Sequence, residues 1–123
     1  MILGLGTDIV EIGRISAVAE RHGEHFAARV FTAGETAQAH GRVSYLAGRW
    51  AAKEAAAKAL GCGIGEKCAL TDVEVLDDAD GAPRLFCSAP ALESFGGKSL
   101  CWHVSISHER EYAVATVILE SKE

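Results

Sequence analysis

No two of the four cysteines, at positions 62, 68, 87 and 101, stand in a C-x-x-C pair. Along the chain, then, nothing spells a zinc ribbon or a thioredoxin-like redox motif. Positive charge is also scarce: 12 Lys and Arg face 17 Asp and Glu, a net charge of −5. That balance argues against general nucleic-acid binding, although local basic patches remain open. No apolar run reaches the ~18 residues of a membrane span. Met1-Ile2-Leu3 leads into Gly4 without a basic n-region or long apolar h-region, so no signal peptide is expected. A cytoplasmic protein follows as the expectation, with its cysteines reduced and mostly buried. There is no internal repeat, low-complexity tract or linker.

Two further motifs are missing. The loop Gly61-Cys62-Gly63-Ile64-Gly65 lacks the Gly-Lys-Ser/Thr of a Walker A loop, and it follows a helix pattern, which excludes a Rossmann fingerprint. Asp77, Asp78 and Asp80 lack EF-hand spacing and its terminal Glu.

What is present is one domain, residues 1–123, with 49% hydrophobic residues, enough for a globular core. Tyr45 to Leu60 is dominated by alanine, Leu, Lys and Glu, the strongest helix formers. Gly61 is the expected stop, and Gly63 and Gly65 keep the next segment flexible. An alanine-rich helix lets other backbones approach, so its charges at 49, 53, 54 and 58 need partners. Glu54 and Lys58 lie four apart on one face. On spacing alone they read as a surface pair worth about 0.2–0.5 kcal/mol. Beside a glycine loop whose N–H groups can wrap a phosphate, they also read as a site.

Taken in order, Ile2 to Leu5 is a short buried strand, and Gly4 and Gly6 suggest close backbone approach. Ile9, Ile12, Ile15 and Ala19 recur at helical spacing, which predicts a helix from about Ile9 to His22 ending at Gly23. Asp8 then fits its N-cap, with Glu11 at the third position, worth about 0.5–2 kcal/mol. The alternative is a carboxylate at a strand-to-helix corner, able to hold a hard cation. Arg14 and Arg21, seven apart, share a stripe: two solvated arginines, or a basic face for an acidic partner. Phe26, Val30 and Phe31 read as anchors of a connecting segment. Thr32-Ala33-Gly34-Glu35 is a capping-box pattern opening a short helix toward His40, ended by Gly41.

After the glycine loop the pattern turns to strands. Asp72 to Leu76 and Arg84 to Cys87 flank a turn through Asp77–Pro83. Ser88 reads as the cap of a short helix with Pro90 in its first turn, ending at Gly96-Gly97. Leu100, Trp102, Val104 and Ile106 lie on one face of the next strand, and Cys101, His103, Ser105 and Ser107 on the other. That second face is either functional or open to water. His108 to Glu111 turns the chain, and His108, at a strand end, is well placed for a ligand. Tyr112 to Leu119 is apolar on both faces, hence a central or interface-covered strand. The whole reads as an α+β domain, a small antiparallel sheet packed on a long central helix.

Three stretches, Gly4-Leu5-Gly6-Thr7-Asp8-Ile9-Val10-Glu11, Arg49 to Ala59 and His103-Val104-Ser105-Ile106-Ser107-His108, resemble the holo-[acyl-carrier-protein] synthase family. This is the short, single-domain branch of the 4′-phosphopantetheinyl transferases. The resemblance covers nearly the whole chain, with three motifs in order at the family's length. It implies that fold, and Mg²⁺-dependent transfer of the phosphopantetheine arm of coenzyme A to a serine of apo-acyl-carrier protein, in support of fatty acid biosynthesis. Adenosine 3′,5′-bisphosphate is the by-product. It further implies a homotrimer with each active site at a subunit boundary. Neither nucleic acid nor membrane is implied as a partner.

Carried onto this chain, the metal carboxylates match Asp8 and Glu54, the helix lysine matches Lys58, and the carrier-docking arginines match Arg14 and Arg21. Coenzyme A contacts are expected from Arg49, Lys58, Gly61, Gly63, Gly65, Pro83, Ser107 and His108. Asp8, Glu54 (through a water) or His108 could accept the serine proton. Some relatives place Asp where Glu109 stands, so the role of Glu109 is open. Two other readings stay beside this one: a metal-dependent phosphoesterase using water, and a non-catalytic coenzyme A-binding subunit.

Overall fold

The alanine-rich stretch forms the helix α3, Val43–Ala59, in a computed structural model that describes residues 1–122. Ala51, Ala52, Ala55 and Ala56 are fully buried, because the helix lies between a sheet and a helical layer. The sheet has three antiparallel strands in the order β1 (Ile2–Glu11), β5 (Tyr112–Ser121), β4 (Leu100–His108). Strand β5 is central, as its apolar character predicted, and its Ala113, Ala115, Val117 and Leu119 face α3. A two-stranded sheet, β2 (Val73–Asp77) with β3 (Pro83–Cys87), closes the other side.

Close approach is built into β1. A Cβ at Gly6 would lie 1.9 Å from the carbonyl oxygen of Ala55, and one at Gly4 would lie 1.8 Å from that of Ala59. Only a residue without a side chain fits there.

The region after Gly6 differs from the sequence expectation. No helix starts at Ile9: β1 continues to Glu11, and helix α1 runs Ile12–Val30. Asp8 is therefore a strand residue opposite Ala115, not an N-cap, and Glu11 stands at the N-cap position without a side-chain cap. Pairing of β1 with β5 across Thr7–Glu11 outweighs the local helical period. Gly23, at φ 53°, kinks α1 where the sequence placed its end, and Phe26 and Val30 lie in the helix beyond it. They are buried there with Phe31, and Phe26 stacks on Trp50 at 5.4 Å.

Thr32 opens helix α2, Ala33–Ala39, with the full capping box to Glu35. Ala89, not Ser88, precedes the 3₁₀ segment Pro90–Phe95. Of the cysteines only Cys68 is buried; Cys62, Cys87 and Cys101 are half-buried, against the expectation that most would be buried. Burial pushes the Cys68 thiol up to about 12, which keeps it protonated. No helix among the described residues is long and apolar enough to cross a membrane.

Candidate active site

Asp8, Glu54 and Lys58 come from two elements and line one cavity of about 560 Å³, with Arg14, Trp50 and Tyr112. Strand alternation turns Asp8 toward α3, because its even-numbered neighbours Gly6 and Val10 face the same way. The helical turn then stacks Glu54 and Lys58 on the side that meets it. Lys58 does not pair with Glu54. Its ammonium donates to the Thr7 carbonyl at 2.9 Å and meets Asp8 Oδ1 at 3.2 Å. Glu54 is half-buried and has no ion-pair partner among the described residues. Two carboxylates from separate elements, one without a counter-charge of its own, are a donor set that suits Mg²⁺, which takes few carboxylates and keeps positions for water and phosphate.

A second cavity, of about 250 Å³, collects Arg49, Pro83 and His108 with Arg42, Tyr45 and Asp77. Arg49 is expected from the sequence to contact coenzyme A. The structure turns it inward: it donates to the Val75 carbonyl at 3.3 Å and to Asp77 Oδ1, and lies 3.7 Å over the Tyr45 ring. Burial raises the Tyr45 phenol above its ordinary value, an effect the Arg49 charge opposes. Asp77 was read only as part of a turn; nothing in the local sequence tied it to an arginine 28 residues earlier.

Within one chain, therefore, the expected residues fall into two groups. Asp8, Glu54, Lys58 and Arg14 share the first cavity; Arg49, Pro83 and His108 share the second. Ser107 joins neither, because it stands opposite Val114 on the other face of the sheet. Arg21 is exposed on α1, outside both.

The amides of the glycine loop donate to carbonyls of the chain itself. The amides of Cys62 and Gly63 both donate to the Ala57 carbonyl, that of Gly61 to Lys58, and that of Gly65 to Cys68. Gly61 and Gly63 have positive φ of 84° and 67°, so the glycines serve to cap α3. Glu109 accepts from the amides of Glu111 and Tyr112, at 2.6 and 2.7 Å. Its carboxylate thus holds the β4–β5 turn.

Residues 4–117 match the family described as the 4′-phosphopantetheinyl transferase superfamily. The chain is 54% identical to the holo-[acyl-carrier-protein] synthase of Edwardsiella ictaluri, over 97% of this chain and 98% of that one. Among solved structures it is similar to the holo-(acyl-carrier-protein) synthase of Bacillus anthracis in complex with CoA (3′,5′-ADP), with 39% identity, a TM-score of 0.83 and 99% of each chain covered. The Helicobacter pylori holo-[acyl-carrier-protein] synthase in complex with coenzyme A gives 33% identity and a TM-score of 0.85, covering 94% of this chain and 99% of that one.

Proposed function

This chain belongs to the 4′-phosphopantetheinyl transferase superfamily, and from that premise we propose that it transfers the phosphopantetheine arm of coenzyme A to a serine of apo-acyl-carrier protein. The observation that carries the reading is the convergence of Asp8, Glu54 and Lys58 on one cavity from β1 and α3.

The serine oxygen attacks the phosphorus that bears the pantetheine arm. The bond from that phosphorus to the bridging oxygen breaks, adenosine 3′,5′-bisphosphate leaves, and the serine proton goes to a base. Asp8 and Glu54 would hold Mg²⁺, which supplies positive charge to the diphosphate. Lys58, tethered by the Thr7 carbonyl, holds its ammonium at the cavity wall, where it stabilises charge developing on the leaving oxygens. Trp50 and Tyr112 also line the cavity.

The working unit in this reading is a homotrimer. Leu5 and Ile9, each 63% exposed, stand beside Ile118 and Val114 on the open face of the sheet. An apolar sheet face of that kind is suited to burial against another chain. Contact between copies would also explain the division of the expected residues: the cavity holding Arg49, Pro83 and His108 on one subunit completes the cavity holding Asp8 and Glu54 on the next. Ser107 and the loop through Gly61, Gly63 and Gly65 take contacts to coenzyme A only through that assembly. The setting is the cytoplasm, and the product serves fatty acid biosynthesis.

The test is mass spectrometry of an apo-carrier protein incubated with coenzyme A, with and without Mg²⁺. The expected result is a gain of the phosphopantetheine mass only with the ion. Coenzyme A cleavage without carrier modification would point instead to a phosphoesterase, and binding without either product to a non-catalytic subunit.

Docking of the carrier belongs to α1, whose exposed Arg14 and Arg21 suit an acidic partner. Because Arg21 lies outside the cavity, Arg21→Glu is expected to raise KM for carrier protein about tenfold, equivalent to ~1.4 kcal/mol of lost attraction. KM for coenzyme A should stay constant. Equal changes in both constants would remove α1 from the docking surface.

A further inference from the structure

We propose that Cys101, His103 and Glu120 form a second metal site, of zinc type, on the open face of the three-stranded sheet. The sequence offers no metal motif here because the ligands are gathered across strands and not along one. Cys101 and His103 are two apart on β4 and so share a face. Glu120 on β5 is the register partner of Cys101, which makes it the diagonal neighbour of His103. The thiol, imidazole and carboxylate ligand atoms all lie within 4.8 Å of one another. A tetrahedral zinc ion, with bonds of ~2.0–2.3 Å, needs its ligand atoms roughly 3.3–3.8 Å apart.

The chemistry of the three groups selects the ion. Thiolate, imidazole and carboxylate together suit zinc and its cobalt substitute, whereas Mg²⁺ prefers an all-oxygen set. His103 Nε2 already lies 2.8 Å from Glu120 Oε1, so two of the three ligands are held together before an ion arrives. On binding, the Cys101 thiol releases its proton to solvent, the His103 Nε2 proton moves through solvent to Nδ1, and the thiolate sulfur and Nε2 take coordination positions. His103 is exposed, and Cys101 and Glu120 are half-buried.

This site is separate from the proposed active site. On β5, Asp8 is opposite Ala115 and Cys101 is opposite Glu120. Five residues of strand separate the two, about 17 Å at 3.4 Å per residue. An ion held here would tie the edge strand β4 to the central strand β5 near the sheet end where the main chain of Met1 accepts from Ser121.

The experiment is titration of the metal-free, assembled protein with Co²⁺. A thiolate-to-cobalt charge-transfer band is expected to saturate at about one ion per chain and to be erased by added Zn²⁺. Asp8 and Glu54 have no sulfur and cannot give this band, and its loss in Cys101→Ser separates the proposed site from Cys62, Cys68 and Cys87. Cys101→Ser should abolish the band, and His103→Ala should weaken zinc binding at least about tenfold. Both positions lie on the sheet face that the trimer reading turns toward another copy, so circular dichroism and the oligomeric state of each variant check that fold and assembly are kept. Glu54→Gln should leave the band intact, and excess Mg²⁺ should not reduce it. Absence of the band in the unaltered protein would overturn the proposal. So would its survival in Cys101→Ser, or its loss to Mg²⁺.

Discussion

Glu54→Gln is expected to lower kcat/KM for carrier-protein modification by at least about a hundredfold, the scale of losing one element of charge stabilisation in a reaction of this kind. The fold should not change. Glu54 makes no ion pair among the described residues, and glutamine keeps its shape, so only the negative charge is removed. Circular dichroism and the melting temperature of the variant should match those of the parent. Asp8→Asn should show the same loss of transfer, and in addition should loosen Lys58, which relies on Asp8 Oδ1 and the Thr7 carbonyl. Full transfer by either variant would refute the assignment of these acids to the ion. The split of the site across two cavities adds a second readout. Glu54→Gln and His108→Ala subunits, each weak alone, should regain part of the activity when unfolded and reassembled together. Mixed assemblies that stay inactive would place His108 outside the working site.

Glu35→Gln is expected to cost about 3–5 kcal/mol of stability, the range for breaking one half of a buried ion pair. Glu35 and Lys53 are both fully buried, 2.7 Å apart. Every donor and acceptor of the pair is engaged. Lys53 also donates to the carbonyls of Leu70 and Val73, and Glu35 accepts from the amides of Thr32 and Val75. The pair thus joins α2, α3 and β2 at one point in the core. Glutamine leaves the ammonium buried without a counter-charge. Burial already holds Lys53 below its ordinary value of 10.5, with Glu35 pulling it back up. Without Glu35 the folded value falls further, while the unfolded chain keeps the ordinary one. Between the two values the unfolded state binds more protons, so stability of the variant rises with pH across that window. The deficit should therefore be largest near neutral pH and shrink toward 10.5. Urea unfolding at several pH values measures it. A loss below about 1 kcal/mol, constant with pH, would show that the pair carries no such role.

The sequence made α3 legible because an alanine run with spaced charges has few other ways to fold, and its three basic charges did find partners in Asp77, Glu35 and Asp8, while Glu54 did not. The Thr32 box and the β4–β5 hairpin were equally plain, since each is written in residues close along the chain. Asp8 was ambiguous for the opposite reason. An acid followed by Glu11 three residues later looks the same whether it caps a helix or ends a strand; pairing with β5, more than a hundred residues away, decides it. The hydrogen bonds of the glycine loop were not legible, because composition reports what backbone shapes are available, not where each amide donates. Arg49 and Asp77, and likewise Cys101 and Glu120, meet only through the register of the finished sheets. Spacing rules do not reach that far.

The absence of side chains at Gly4 and Gly6 brings β1 directly against the carbonyls of Ala59 and Ala55. The gap between the carboxylate on one element and the acid and amine on the other is thereby gauged by main chain against main chain. Such a gauge does not drift as the surrounding side chains are exchanged over time. It fails only if a methyl group appears at either position, and then it shifts the strand and its Asp8 together.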